Sequence, residues 1–359
     1  MNALLRKLPS LEEIKSELAR RSYVDYVEYV HRGTWIRAKH VELICNTIEA
    51  LINDELYTEH EEVAQILILS MPPQHGKSQS VTETLPSYFI GKNPKKRVIL
   101  VSYGDTLARR FGRRNKQKIN EFGKELFGIE LSSDGRSDTD FEIAEHKGTV
   151  ISRGIMAGIT GQPGDLIIID DPIKNRLEAE SETYRERVWE EWLSSIRSRL
   201  SANGKVIVIM TRWHEDDLAG RLIQQGKEGK ERVYVLNLPC EAEENDPLGR
   251  EPGEALFPEI GKDNAWLKAF KEAYQTQEGS FAWNALFQGR PRAKSGNIFK
   301  REYFRYFREE MIGNQFYFVL RDGDVERRHR KEYLWCFQTV DTANSTKTIN
   351  DYFVVSTWY

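Results

Sequence analysis

The chain has 359 residues, 40% hydrophobic and 30% charged, enough for one large domain and part of a second. Its 52 Lys and Arg against 55 Asp and Glu leave a net charge of −3, which excludes a polycation and confines any nucleic-acid contact to local basic patches. Cys45, Cys240 and Cys336 are far apart without metal spacing and read as buried thiols of a reducing compartment, while the absence of a signal peptide or of any apolar run near the ~20 residues that cross a bilayer predicts a soluble intracellular protein.

In chain order, Ser10 with Glu13 three residues on forms a helix start, and helical patterning continues through Val30 and again from Ala38 to Asn53. These helices precede the first core strand and are expected to form a cap. Trp35, Arg37 and His40 lie on it, read as packing or surface residues ahead of contacts to a nucleotide base.

Gln65-Ile-Leu-Ile-Leu-Ser70 is a buried strand, followed by Met71-Pro-Pro-Gln-His-Gly-Lys-Ser78 and a helix. Strand, tight loop ending Gly-Lys-Ser, then helix is the arrangement that grips a nucleoside triphosphate. Loop amides and the positive helix end face the phosphates, and the lysine and hydroxyl complete the site. Gln74, His75, Gly76, Lys77, Ser78 and Gln79 are therefore the candidate nucleotide-binding residues. Met71 occupies the place of the first glycine of the usual pattern, so the match is partial.

Beyond Pro94 comes the strand Val98 to Tyr103, then a helix carrying Arg109, Arg110, Arg113, Arg114, Lys116 and Lys118. These cations either face phosphates or make a solvated surface. Phe141–Ala144 and Thr149–Ser152 are expected to form a hairpin, and four glycines between 154 and 164 a loop at the rim of the sheet. Leu166 to Ile169 is a second aliphatic strand, ending in Asp170 and Asp171. Carboxylates at the C-terminal end of a parallel strand lie beside the phosphate loop, where Mg²⁺ shared with phosphates needs oxygen ligands. Asp170 and Ser78 are the candidate metal ligands. Asp171 is the candidate catalytic carboxylate.

Asn175 to Leu200 reads as one long helix, with Trp189 and Trp192 packing inward and Asn203-Gly204 closing it. Lys205 to Thr211 is the next strand, and Thr211 at its end is the candidate residue that senses the γ-phosphate and couples hydrolysis to motion, ahead of Arg212. His214 to Asp217 is an acidic first helix turn rather than a metal site, because adjacent helix residues diverge. Val233 to Leu238 is a strand, and helices from about Asn264 to Gln288 end the unit. Near Lys300 the character changes. Gln315–Leu320 and Tyr333–Val340 are expected to pair around Asp322-Gly323, with Arg327 to Lys331 in the turn as a candidate DNA contact.

Pro72-Pro-Gln-His-Gly-Lys-Ser78, Ile169-Asp-Asp-Pro172, Met210-Thr-Arg-Trp-His-Glu-Asp-Asp-Leu-Ala-Gly220 and Val340-Asp-Thr-Ala343, in this order, resemble the large terminase subunit of tailed bacteriophages and prophages. The resemblance implies an α/β fold: a RecA-like additional-strand P-loop NTPase domain with a mostly parallel sheet and an N-terminal helical cap, followed by the start of an RNase H-like nuclease. On that plan residues 1–60 are the cap, 61–298 the ATPase core with linker helices, and 299–359 the beginning of the nuclease. It implies an ATP-driven subunit that translocates double-stranded DNA into a procapsid in the host cytoplasm. Its partners are a portal protein and a small terminase subunit, and it is monomeric in solution and a homo-oligomeric ring on the procapsid. Lys77, Asp170 and Asp171 carry over as catalytic, with ATP and Mg²⁺ as cofactors. Asp341 matches the first metal-binding aspartate of the nuclease, which uses Mg²⁺ or Mn²⁺, and Asp351 is a second candidate. With later acids absent, this chain alone is not expected to cut DNA. No arginine stands where many relatives have their finger, so Arg109, Arg110, Arg113 and Arg153 are the candidates. The competing readings are a P-loop helicase of another family and a non-catalytic assembly scaffold.

Overall fold

The aliphatic runs become the strands of one seven-stranded sheet. In the structure, a computed structural model, residues 9–133, 137–159, 161, 163–292, 307–322, 325–341 and 354–358 are described. The strands are Ile66–Ser70 (β1), Arg97–Ser102 (β2), Asp140–Glu142 (β3), Thr149–Gly154 (β4), Gly164–Asp170 (β5), Leu200–Met210 (β6) and Val233–Asn237 (β7). Their order is β3-β4-β2-β5-β6-β1-β7, and every pairing is parallel except β3 with β4. The mostly parallel α/β sheet and the hairpin at its edge are as expected from the sequence.

Continuous aliphatic strands fit a sheet covered on both faces. Leu67, Leu69, Val98, Leu100, Leu166, Ile168, Ile207 and Ile209 share one core with helices α1 (Leu11–Arg21), α2 (Tyr23–His31), α3 (Lys39–Ile52), α5 (Leu85–Lys92) and α6 (Asp105–Phe127). Ile66, Ile68, Ile99, Val101, Ile167, Ile169, Val206 and Val208 enter a second core with Val188, Trp192 and Leu222. Ser10 caps α1 as expected: its hydroxyl accepts from the Glu13 amide at 3.2 Å and its own amide donates to Glu13 at 2.6 Å.

Four expectations change. The helix after the phosphate loop is not continuous: α4 covers only Lys77–Ser80, and α5 starts at Leu85. Val81, Thr82 and Thr84 are β-branched and Pro86 is tolerated only in a first turn, so the helix ends and restarts. The long helix from Asn175 is also divided, into α7 (Arg176–Glu180), α8 (Glu182–Glu191) and a wider turn over Trp192–Ile196. Asn175 and Ser181 each accept from an amide three residues on, acting as caps that start a new helix. Asn203-Gly204 then lies within β6. Cys336 is exposed, whereas Cys45 and Cys240 are buried.

The chain divides into two compact units, Met1–Ala293 and Lys294–Tyr359. The fourth change lies in the second. Phe307–Ile312 (β8), Gln315–Asp322 (β9) and Val325–Arg330 (β10) form an antiparallel sheet with β9 in the middle. Phe337–Asp341 (β11) pairs with Val354–Trp358 (β12) rather than with β9. Arg327, Arg328, His329 and Arg330 are thus strand residues. Their charges are accommodated because Arg308 meets Glu326 at 2.8 Å and Arg328 meets Glu310 at 3.3 Å across the middle strand.

Candidate nucleotide-binding site

Sheet order creates the site. β6 lies between β1 and β5, so Thr211, just past β6, sits between the phosphate loop that follows β1 and the acids that end β5. Lys77, 7% exposed, donates through Nζ to Asp171 Oδ1 and Oδ2, each at 2.8 Å, and to Thr211 Oγ1 at 3.2 Å. The Thr211 amide donates to Asp171 Oδ1 at 2.8 Å. Asp171 has φ +45, an uncommon backbone state that aspartate tolerates better than most residues. Three residues separated by up to 134 positions thus form one polar knot.

Asp170 is 1% exposed. Burial and the neighbouring Asp171 carboxylate push it up to about 6, against the opposing pull of Lys77 and of the hydroxyls of Thr82 and Ser78. Thr82 Oγ1 donates to Asp170 Oδ2 at 2.6 Å. The donor set offered by Ser78 and Asp170 is all hard oxygen, the ligand type that Mg²⁺ takes. Among the described residues no cluster of three His, Cys, Asp or Glu forms a metal cage. Most ligands of such an ion would therefore be phosphate and water oxygens, as Mg²⁺ prefers.

The loop is shaped by its backbone. Gly76 has φ +88, and a Cβ there would lie 3.3 Å from Val41 Cγ1. Gln74 has φ +60, and its carbonyl accepts from Lys262 Nζ at 2.9 Å. The His75 side chain turns away from the loop mouth. It is 1% exposed, its Nδ1 is 2.8 Å from the Pro73 carbonyl, and its ring lies near Phe257 and Trp266. Gln79 reaches His31 Nδ1 at 3.2 Å and the Thr34 carbonyl at 3.4 Å.

The N-terminal helices grip this segment from behind. Tyr23 donates to the Ser80 carbonyl at 2.6 Å and Trp35 Nε1 to Ser80 Oγ at 2.8 Å. His40 Nε2 lies 3.0 Å from the His75 carbonyl. Arg37 instead pairs with Asp25, Glu28 and Glu42.

The arginine candidates separate by surroundings. Arg110 pairs with Glu83 at 3.0 Å. Arg153 is tied to the sheet edge by the Thr139 carbonyl at 3.1 Å and Asp140 at 3.6 Å. Arg109 and Arg113 are exposed on α6. Arg212 turns inward, its Nε 2.8 Å from Asp217 Oδ2, while Asp217 Oδ1 caps helix α9 (Leu218–Lys227) through the Gly220 amide at 2.8 Å. A Cβ at Gly220 would lie 1.8 Å from the Glu215 carbonyl oxygen. The run from Met210 to Gly220 is thus one interlocked turn.

Asp341 ends β11, opposite Val354. Asp351 and Gly323 lie outside the described residues. Sequence reasoning missed Thr82, Asn115 and Lys262. For Thr82 the signal was present: Val81, Thr82 and Thr84 ahead of Pro86 mark a helix break.

A family profile described as terminase large subunit, T4likevirus-type, N-terminal, matches residues 68–305. Among solved structures, the large terminase of bacteriophage HK97 superposes with a TM-score of 0.51 at 12% identity, over 87% of this chain and 67% of that one. The large terminase of a thermophilic bacteriophage gives a TM-score of 0.39 at 11% identity, over 75% and 64%. The chain thus spans about two thirds of the length of these proteins. No curated protein matches it. No helix among the described residues is long and apolar enough to cross a membrane.

Proposed function

This chain belongs to the T4-like family of terminase large subunits, and we propose that its first unit is an ATPase that drives double-stranded DNA into a procapsid. The observation that carries the reading is the meeting of Lys77, Asp171 and Thr211 beside the phosphate loop. Amides from Gln74 to Ser78 would cradle the phosphates, and Lys77 would exchange Asp171 for phosphate oxygens. Ser78 and Asp170 would hold Mg²⁺, which supplies charge neutralisation on the triphosphate. Asp171, freed from Lys77, would orient the attacking water and accept its proton. Thr211, bonded to both partners, would register which of them Lys77 engages.

Arg109 and Arg113, exposed on α6, are the candidates to reach a neighbouring subunit's nucleotide in a homo-oligomeric ring. Double-stranded DNA, a portal protein and a small terminase subunit are the partners that packaging requires. The second unit is read as RNase H-like, with Asp341 as its first metal acid and Asp351 as a candidate second. The test is phosphate release from ATP with and without double-stranded DNA. Wild type should turn over with DNA stimulation, and Lys77→Ala should not. Equal turnover in both proteins would refute the assignment.

A further inference from the structure

The helix break after the phosphate loop is bonded on one side to α6 and on the other to Asp170. Thr82 is fully buried, and its hydroxyl holds Asp170 Oδ2. The Thr82 carbonyl accepts from Asn115 Nδ2 at 2.8 Å, and the neighbouring Glu83 carbonyl accepts from Lys118 Nζ at 2.8 Å. Asn115 Oδ1 accepts from the Ser87 amide at 3.1 Å, in the first turn of α5, and Asn115 Nδ2 also reaches the Phe111 carbonyl of its own helix at 2.9 Å. Asn115 is itself fully buried. At the far end of the break, Thr84 Oγ1 lies 2.9 Å from His31 Nε2. A one-turn helix such as α4 has no stability of its own. The shape of the segment from Val81 to Thr84 is therefore imposed by its neighbours, α6 foremost, and with it the direction of the Thr82 hydroxyl.

We propose that Thr82, held in place by Asn115, is the positioning residue for Asp170, committing one carboxylate oxygen and thereby setting the site's affinity for its divalent cation. This rests on the reading of Asp170 as the Mg²⁺ acid. Groups that orient a ligating carboxylate act on metal affinity by about 10- to 100-fold. A purely structural threonine would instead alter stability without altering metal demand.

The full chain is tested as wild type, Thr82→Val and Thr82→Ser. Mn²⁺ binding is followed by electron paramagnetic resonance with ADP present, and ATP turnover is titrated with Mg²⁺. Thr82→Val should raise both the Mn²⁺ dissociation constant and the half-saturating Mg²⁺ about 10-fold. Any loss of turnover should shrink as Mg²⁺ rises, ADP affinity in chelator should stay near wild type, and Thr82→Ser should restore the metal affinity. An unchanged Mn²⁺ constant in a folded Thr82→Val overturns the proposal, as does a loss that is the same at every Mg²⁺ concentration. Should the valine variant fail to fold, Thr82→Cys keeps the size with a weak donor and carries the same measurements. Nucleotide binding that is indifferent to Mg²⁺ in wild type and unchanged in Lys77→Ala sinks the nucleotide-site reading itself. Normal wild-type behaviour with an indifferent Thr82 variant sinks only the positioning role.

Discussion

Lys77 and Asp171, 94 residues apart, hold each other through two 2.8 Å bonds at the centre of the proposed site. Nucleotide must compete with this pair for the ammonium group. Asp171→Asn should therefore bind a fluorescent ATP analogue about two- to fivefold more tightly, the worth of a partly exposed ion pair. The same variant should lose about 10²- to 10⁴-fold in turnover, the usual contribution of a general base. Weaker binding together with normal turnover would remove Asp171 from the mechanism.

Lys77→Ala should cut turnover at least about 100-fold, the scale for removing one charge-stabilising donor. The fold should survive, since the Thr211 amide still bonds Asp171. Phosphate release and thermal melting, measured together, check both halves.

Gly76→Ala places a side chain at φ +88 and against Val41. Folding stability should fall by about 1 kcal/mol or more, and ATP binding should fall with it as the loop is displaced. Denaturant melts and nucleotide titration read the two effects separately.

Arg212 and Asp217 form a buried ion pair whose side chains are 8% and 0% exposed. Removing either partner strands the other charge, so Arg212→Ala or Asp217→Ala should destabilise by about 3–5 kcal/mol. Equilibrium unfolding checks this, and a loss of turnover without loss of stability would contradict the structural role.

Burial holds His40 and His75 near pKa 4, below the ordinary 6.5. The unfolded chain therefore takes up more protons between pH 6.5 and 4. The stability they contribute is fully present above pH 6.5 and is lost as pH falls towards 4, by at most about 1.4 kcal/mol per pH unit for each histidine. Urea melts from pH 7 to 4.5 should show that decline, and His40→Gln should make it shallower while His75 keeps its share.

The aliphatic runs, the Gly-Lys-Ser loop and the paired acids were legible because each is a local pattern with a local cause. The second unit was less legible. Val325–Arg330 carries five polar residues out of six, and its pairing with β9 and the charge partners of Glu326 and Arg328 on β8 come from parts of the chain that no local pattern shows. The division of the 175–200 segment was also hidden, because caps such as Ser181 leave the helical periodicity unbroken.

By itself the sequence determined a doubly covered parallel sheet with a phosphate loop at one strand end and carboxylates at another, since hydrophobic patterning and loop chemistry act between near neighbours. Only the tertiary structure decided that β6 separates those two strands, that Arg212 turns inward to Asp217, and that Thr82 reaches across 88 residues to Asp170. Such pairings depend on where the chain returns to itself, and the packing of α6 against a broken helix sets that for Thr82.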